Sequence, residues 1–370
     1  MVLLFMKIIR NTALLFISFI LAACDASNLG IMANQKANNV NVAILLPTTG
    51  PDAIKGIEYI AMIKRGLQDG AKIPIRITTY DSASPTTLDN SLNEIVQRGT
   101  DIIIGPMYTQ PTKIVAQKIQ GTGIIAFSLS NNPSLANEQT YVFGHAPMRQ
   151  LQELLRYSLE NDYDNYITLL PEGKWSERTN TIITNLVKNK GKNMVMSQYY
   201  LDNSLTDINS KIEQVSHKVD ELNENPDNDH KPVIILSDDN ENLDKLLNVV
   251  KSYQLDKKAV LVSDNRLNFN EHNNVDVVYT GSMNLIRKNF FNTAKQAKIH
   301  NISFMHYLSY DVGMMISSYV GKNYNRNNFI NKINSDLTFD GLSGKTHFID
   351  KIAQRKYEII EKKNSKFSQL

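Results

Sequence analysis

The sequence predicts an α/β protein with two lobes, each a parallel sheet flanked by helices. Two observations support this prediction. Short apolar runs alternate with amphipathic stretches at a period of about 25–30 residues, as in βαβ units, which bury parallel strands between helices. The alternation also restarts once, near Gly144, and 370 residues are enough to build two hydrophobic cores.

The first lobe begins with an apolar run at 40–46, which ends at Pro47 and is typical of a buried parallel strand. After a Thr-Thr-Gly-Pro turn, apolar residues recur at helical spacing from Ala53 to Gly70. The same reasoning predicts the other elements of this lobe, which are strands at 73–80, 101–105 and 123–127 and helices at 87–99 and 111–120.

The second lobe has the same alternation of strands and helices. The predicted strands are 166–170, 194–200, 233–236, 259–262 and 275–280, and the predicted helices are 149–161, 176–190, 207–222 and 240–253. A helical stretch at 304–320 and a strand-like segment at 347–349 follow. We expect two Rossmann-like lobes, joined by hinge crossovers near Gly144, Met283 and Gly344. Lobe 1 would comprise 40–145 and 283–344, lobe 2 would comprise 146–282 and 345–362, and 363–370 would be a polar tail.

The N-terminal residues have the pattern of a secretory signal. Lys7 and Arg10 precede an uncharged, mostly apolar segment that is shorter than the roughly 20 residues a membrane-spanning helix needs. Met6 begins a more typical leader than Met1, so we expect translation to start at Met6. We expect the leader, 1–23, to be removed on export.

The leader ends in Leu21-Ala22-Ala23-Cys24, which resembles the lipobox of bacterial lipoproteins. The resemblance implies a periplasmic protein with lipid on Cys24. Residues 25–39 are polar and rich in asparagine and alanine, so we expect a flexible tether at 24–39. The alternative is a small buried cysteine beside an ordinary cleavage site. Asp25 resembles a mark for retention at the inner membrane, and the outer membrane remains the alternative. Cys24 is the only cysteine, so no intrachain disulfide can form.

Composition and motifs argue against several function classes. The 40 basic and 37 acidic residues are interspersed, so no basic face for nucleic acid is evident. The sequence has no nucleophile elbow, zinc-protease helix or phosphate-binding loop, and its seven histidines lack ligand spacing. We therefore expect neither an enzyme nor a metal or cofactor site.

Four segments, at 42–51, 104–109, 124–133 and 339–348, resemble a known family in their order and spacing. That family is the type I periplasmic binding proteins of the leucine/isoleucine/valine-binding class. The segments 126–128 and 141–147, with the helix that contains Gln150 and Tyr157, are similar to a subgroup. These are the bacterial lipoproteins known as penicillin-binding protein activators.

The family resemblance implies ligand contacts in two loops of the first lobe. Thr109, which follows Tyr108, matches a hydroxyl residue that binds a ligand carboxylate, and Ser128, Leu129 and Ser130 match a second loop that contacts the same group. Hydroxyl and backbone N–H groups at a helix N-terminus are suited to bind an anion. The alternative is that these hydroxyls only cap the following helix.

Two further residues are implied in the second lobe. Trp175, the only tryptophan, matches a tyrosine that closes on the ligand, although Ser176 replaces the glycine that follows in the family. An aromatic side chain at the surface or in the core is the alternative. Asp264 lies near the position at which amino-acid binders of the family have an acid that pairs with the ligand ammonium group. The alternative is that Asp264 belongs to a solvated turn.

From these features we expect a receptor that binds a small polar ligand, for example an amino acid, between its lobes and delivers it to an ABC permease. The alternative is a lipoprotein that regulates peptidoglycan synthesis by contact with a cell-wall synthase. The lipid on Cys24 would hold either protein at a membrane surface.

Overall fold

The computed structural model describes residues 39–145, 147–201, 204–237, 243–263, 275–281, 288–300, 302–322, 324–335 and 337–370. The expected lipidation site Cys24, its tether up to residue 38, Asp264 and the expected crossover at Met283 lie outside these residues. Among the described residues, no helix combines the length and apolar character that crossing a membrane requires.

The first lobe follows the predicted alternation closely. Its elements are β1 (Val40–Leu46), α1 (Ala53–Gly70), β2 (Ile75–Asp81), α2 (Pro85–Gln97), β3 (Ile102–Ile104), α3 (Thr109–Lys118), β4 (Ile125–Ser128) and β5 (Thr140–Val142). The strands β1, β3 and β4 are wholly or almost wholly buried, as their unbroken apolar sequences predict.

The second lobe also alternates, and the chain then returns to the first. The elements up to the return are α4 (Pro147–Glu160), β6 (Asn165–Pro171), α5 (Lys174–Asn189), β7 (Asn193–Tyr200), α6 (Leu205–Glu224), β8 (Val233–Leu236), α7 (Leu243–Ser252), α8 (Leu255–Lys258), β9 (Val260–Ser263) and β10 (Val277–Gly281). The later helices are α9 (Lys288–Gln296), α10 (Phe304–Tyr319) and α11 (Arg326–Ile333). The last strands are β11 (Phe339–Gly341), β12 (Gly344–Ile349), β13 (Ile352–Lys356), β14 (Glu358–Lys363) and β15 (Lys366–Gln369).

Each lobe is built on one sheet. The first has the strand order β11-β12-β13-β5-β4-β3-β1-β2, and the second has the order β15-β14-β10-β9-β8-β6-β7. Five neighbouring pairs of the first sheet are parallel, with Val42 of β1 opposite Ile77 of β2 and Ile102 of β3. The predicted α/β fold of two helix-flanked lobes is therefore confirmed, with one difference. Both sheets are mixed, because antiparallel strands from the end of the chain extend them.

The end of the chain differs from the expected lobe boundaries. β12 and β13 pair with the first sheet, and the chain passes to the second sheet at Tyr357, later than the expected crossover at Gly344. Residues 363–370, expected as a polar tail, include the edge strand β15. The antiparallel pairs β12–β13 and β14–β15 are hairpins. Two-residue turns with positive φ at both residues, at 350–351 and 364–365, close them. Neither turn contains the glycine that usually signals such a hairpin.

The close packing of α1 against α10 fixes the helical layer of the first lobe. A Cβ atom on Gly66 would lie 2.0 Å from the carbonyl oxygen of Tyr310, and one on Gly313 would lie 2.4 Å from that of Ile63. The two helices can therefore approach to backbone contact only because both positions are glycine. This layer covers the face of the first sheet whose core includes Ile44 and Phe127.

Candidate functional site

The candidate site lies beyond the carboxyl ends of β3 and β4 in the first lobe. Tyr108 is the N-cap residue of α3, and Thr109 is the first residue of that helix. Ser128 ends β4, and Ser130 lies in the loop that follows. Parallel pairing of β3 and β4 brings the two loops together, which is the arrangement that ligand sites of open α/β sheets use.

Ser128 is fully engaged within the protein. Its buried hydroxyl oxygen lies 2.8 Å from the hydroxyl oxygen of Thr112 and 3.2 Å from the carbonyl oxygen of Pro106, and it accepts a hydrogen bond from the Ser130 backbone N–H at 3.1 Å. Leu129 is also buried, and its N–H donates to Pro106 at 2.9 Å. Ser128 and Leu129 therefore stabilise the conformation of the loop.

Thr109 and Ser130 form a hydroxyl pair. Their side-chain oxygens lie 3.3 Å apart, and Ser130 also accepts a hydrogen bond from the backbone N–H of Asn132 at 3.3 Å. Ser130 is buried, whereas Thr109 is partly exposed. Tyr108, the N-cap residue, makes no side-chain capping bond. The pair thus presents hydroxyls beside the N-terminus of α3.

The rim of this site is apolar. Tyr108 is 43% exposed, and Ile54 and Ile57, near the start of α1, are exposed as well. Burial of part of the ring, followed by the nearby Asp52 carboxylate, raises the pKa of Tyr108 to about 12, so the phenol stays protonated. Three large side chains are therefore exposed to solvent at the carboxyl end of the first sheet.

Asp81 holds the turn after β1 and is not among the residues predicted from the sequence. Its carboxylate accepts hydrogen bonds from the Thr48 backbone N–H at 2.8 Å, the Thr49 hydroxyl at 2.7 Å and the Ala83 backbone N–H at 3.1 Å. Burial acts to raise the pKa of Asp81, but these hydrogen bonds outweigh it and lower the pKa. The available signal was an acid at the end of a strand that neighbours β1.

The second lobe has its own apolar rim. Trp175, in the first turn of α5, is 45% exposed, and Leu201 and Leu205, around the start of α6, are exposed as well. Beside them lies an open depression of about 900 Å³, lined by Glu172, Gly173, Lys174, Glu177, Tyr199, Leu201 and Ser204. These residues lie at the carboxyl ends of β6 and β7.

The structure brings together five of the predicted site residues. Tyr108, Thr109, Ser128, Leu129 and Ser130 share one edge of the first sheet, Trp175 belongs to the second lobe, and Asp264 lies outside the described residues. Within the described part of the chain, no group of three histidine, cysteine or acidic residues could hold a metal ion.

Comparison with known proteins gives the family. Residues 25–263 match the LppC lipoprotein family. An uncharacterized protein of Rickettsia prowazekii (strain Madrid E) is 37% identical over 362 residues, which are 96% of this chain and 97% of the relative.

Two solved structures illustrate the fold. One is the periplasmic ligand-binding protein of a branched chain amino acid ABC transporter from Burkholderia xenovorans LB400, with a TM-score of 0.62 and 12% identity over 90% of this chain and 94% of that one. The other is the C-domain of LpoA from Haemophilus influenzae, a regulator of PBP1A, with a TM-score of 0.57 and 16% identity over 89% of this chain and 99% of that one. At these identities the likeness extends to the fold. The chain belongs to the LppC lipoprotein family and has the fold of type I periplasmic binding proteins, and this membership implies an extracytoplasmic protein anchored to a membrane.

Proposed function

We propose that this lipoprotein regulates peptidoglycan synthesis by direct contact with a cell-wall synthase outside the cytoplasm. Membership of a lipoprotein family supports the location, and the likeness in fold to the C-domain of LpoA, described as a regulator of PBP1A, is consistent with the role. Lipid on Cys24 would keep the protein at the membrane, where such a synthase acts. No step of this function requires catalysis by the lipoprotein itself.

The observation that favours protein contact is the apolar rim of each lobe. The first rim comprises Ile54, Ile57 and Tyr108, and the second comprises Trp175, Leu201 and Leu205. Clusters of exposed large apolar side chains on soluble domains commonly mark interaction surfaces. Aromatic side chains such as Tyr108 and Trp175 are also enriched among the residues that dominate binding energy at protein interfaces.

The interior of the first-lobe site is consistent with this proposal. Two of the hydroxyls expected to bind a carboxylate, those of Ser128 and Ser130, already have partners within the chain. A ligand carboxylate would have to displace or share these bonds, which reduces the net gain from binding.

A second candidate is the solute receptor, in which a small polar ligand such as an amino acid binds between the lobes and an ABC permease is the partner. The hydroxyl pair of Thr109 and Ser130 beside the N-terminus of α3 favours it, because this arrangement can bind a carboxylate. Trp175 and Asp264 would then contact the ligand from the second lobe.

The experiment that separates the two functions uses residues 25–370 in two parallel assays. One measures the rate of glycan polymerisation and peptide cross-linking by the purified synthase of the same bacterium, with and without the lipoprotein. The other measures thermal unfolding in the presence of each amino acid. We expect a changed synthase rate and an unchanged melting temperature. A melting temperature raised by one amino acid, with an unchanged synthase rate, would establish the receptor instead.

A further inference from the structure

The first crossover between the lobes continues directly from the candidate site. The backbone N–H of Phe143 donates to the carbonyl of Ser128 at 2.7 Å. A Cβ atom on Gly144 would lie 1.9 Å from the carbonyl oxygen of Ser130, so Gly144 packs in backbone contact with the site loop. A displacement of this crossover must therefore also displace the loop that holds Ser130.

Arg355 ties this crossover to the last one. It lies on β13, two residues before Tyr357, where the chain passes to the second sheet. Its buried guanidinium donates to the carbonyl oxygens of Gly144 at 2.7 Å and Phe143 at 2.5 Å, and it stacks 4.5 Å above the Phe143 ring. Two hydrogen bonds from one planar group fix direction as well as distance.

Gln150 ties the same crossover to the second lobe. This buried residue of α4 accepts a hydrogen bond from the His145 Nε2–H at 2.9 Å, and its amide donates to the carbonyl oxygen of Thr280 at 3.5 Å. Thr280 lies near the end of β10, where the chain leaves the second lobe. His145 in turn stacks on Phe304, the first residue of α10 in the first lobe, with the rings 4.0 Å apart.

We propose that Gln150 and Arg355 are positioning residues that couple the Ser128–Ser130 loop to the angle between the lobes. Together they connect the short segment 143–145 to the end of β10 and to β13, which precedes the last crossover. A change in lobe angle would strain these buried hydrogen bonds, and the segment would transmit the change to the Thr109–Ser130 pair. Coupling of this kind requires an element whose conformation depends on both the site loop and the angle between the lobes. The segment 143–145 is that element. The inference holds whether the occupant of the site is a solute or a protein.

The test measures lobe angle and loop protection in the same variants. The chain from Asp25 has no cysteine, so spin labels can be placed at Lys55→Cys on α1 and Arg178→Cys on α5, both exposed. Double electron–electron resonance then gives the distance between the two labels, and therefore between the lobes. Hydrogen exchange of residues 128–132 reports the loop. Gln150→Met and Arg355→Met remove the hydrogen bonds of these two side chains, and Arg355→Lys keeps the charge without the paired hydrogen bonds.

Matched controls come from the first lobe. Gln139 donates to the carbonyls of Ile119 and Ile124, and Arg326 donates to the carbonyl of Gly123, all within the first lobe. Gln139→Met and Arg326→Met therefore remove similar bonds away from the crossovers.

We expect Gln150→Met and Arg355→Met to displace or broaden the distance distribution and to speed exchange in the loop about tenfold. We expect Arg355→Lys to give a smaller effect and the controls to resemble the wild type. Unchanged distances in Gln150→Met and Arg355→Met would overturn the proposal, and so would equal changes in the controls. If Arg355→Met does not fold, Gln150→Met and Arg355→Lys decide the outcome by the same criteria.

Discussion

The hydroxyl oxygen of Ser128 lies 2.8 Å from that of Thr112, and both side chains are buried in the first lobe. Ser128 also accepts the hydrogen bond of the Ser130 backbone N–H. A residue that resembles a ligand contact in sequence thus has a structural role in its own loop. The partly exposed Thr109 hydroxyl, in contrast, faces the site with Ser130.

The first prediction separates these roles by stability. Ser128→Ala leaves the Ser130 N–H without its acceptor, so we expect the free energy of unfolding to fall by about 1–3 kcal/mol. Thr109→Val removes a hydroxyl that is partly exposed, so its effect should stay within about 0.5 kcal/mol. Urea denaturation of both variants measures the difference. Equal losses would mean that Thr109 is structural as well.

The second prediction concerns a buried carboxylate. Asp311, on α10, accepts hydrogen bonds from the Leu342 backbone N–H at 2.9 Å and from the backbone N–H and hydroxyl of Ser343 at 2.5 Å and 2.6 Å. We expect Asp311→Asn to lower the free energy of unfolding by about 1.5–3 kcal/mol, because hydrogen bonds to a charged acceptor are lost. The same substitution at the exposed Asp89 serves as the control and should have little effect. A stable Asp311→Asn variant would refute this role.

The third prediction concerns the contact between α1 and α10. Alanine at Gly66 or Gly313 would place a Cβ atom against backbone of the other helix, so the helices must separate. We expect each substitution to destabilise the protein by about 1–3 kcal/mol, as overpacking does. Gly321, whose Cβ position is open, provides the matched control, and Gly321→Ala should be neutral. Thermal unfolding compares the three variants, and similar melting temperatures would contradict the packing argument.

The fourth prediction is a pH dependence that arises from His306. Burial lowers the pKa of this imidazole, although Glu58 and the Ser303 backbone oppose the shift. Because the unfolded chain binds this proton at a higher pH than the folded one, stability falls as the pH drops below about 6.5. His306→Asn should reduce that slope in urea denaturation between about pH 7.5 and 5.5. An unchanged slope in His306→Asn would contradict the assignment.

The sequence was sufficient for elements with strong periodicity. The bounds of β1 and α1 agree with the predicted segments, because one is an unbroken apolar run and the other repeats at helical spacing. Of the hairpins formed by β12 to β15, only the segment 347–349, which lies in β12, was predicted. Strand β15 is fully exposed, and the turns at 350–351 and 364–365 contain no glycine.

Long-range partners account for the rest of what the sequence could not predict. Asp311 and Ser343 are 32 positions apart, and no local pattern connects them. Likewise, Arg355 and Gly144 meet only because β13 pairs beside β5. The two loops of the first-lobe site could be predicted, because they follow neighbouring parallel strands. Which hydroxyl is structural could not, because that depends on Thr112 and Pro106 packed beneath the loop.

The affinity of residues 25–370 for the extracytoplasmic part of the cell-wall synthase tests the central claim most directly. Ile57, in the first apolar rim, and Ile349, the last residue of β12, are 54% and 53% exposed, so Ile349→Ser is a matched control for Ile57→Ser. We expect Ile57→Ser and Trp175→Ser to raise the Kd about tenfold or more, and Ile349→Ser to leave it unchanged. Failure of the wild-type protein to bind, or the same Kd for all three variants and the wild type, would contradict the account.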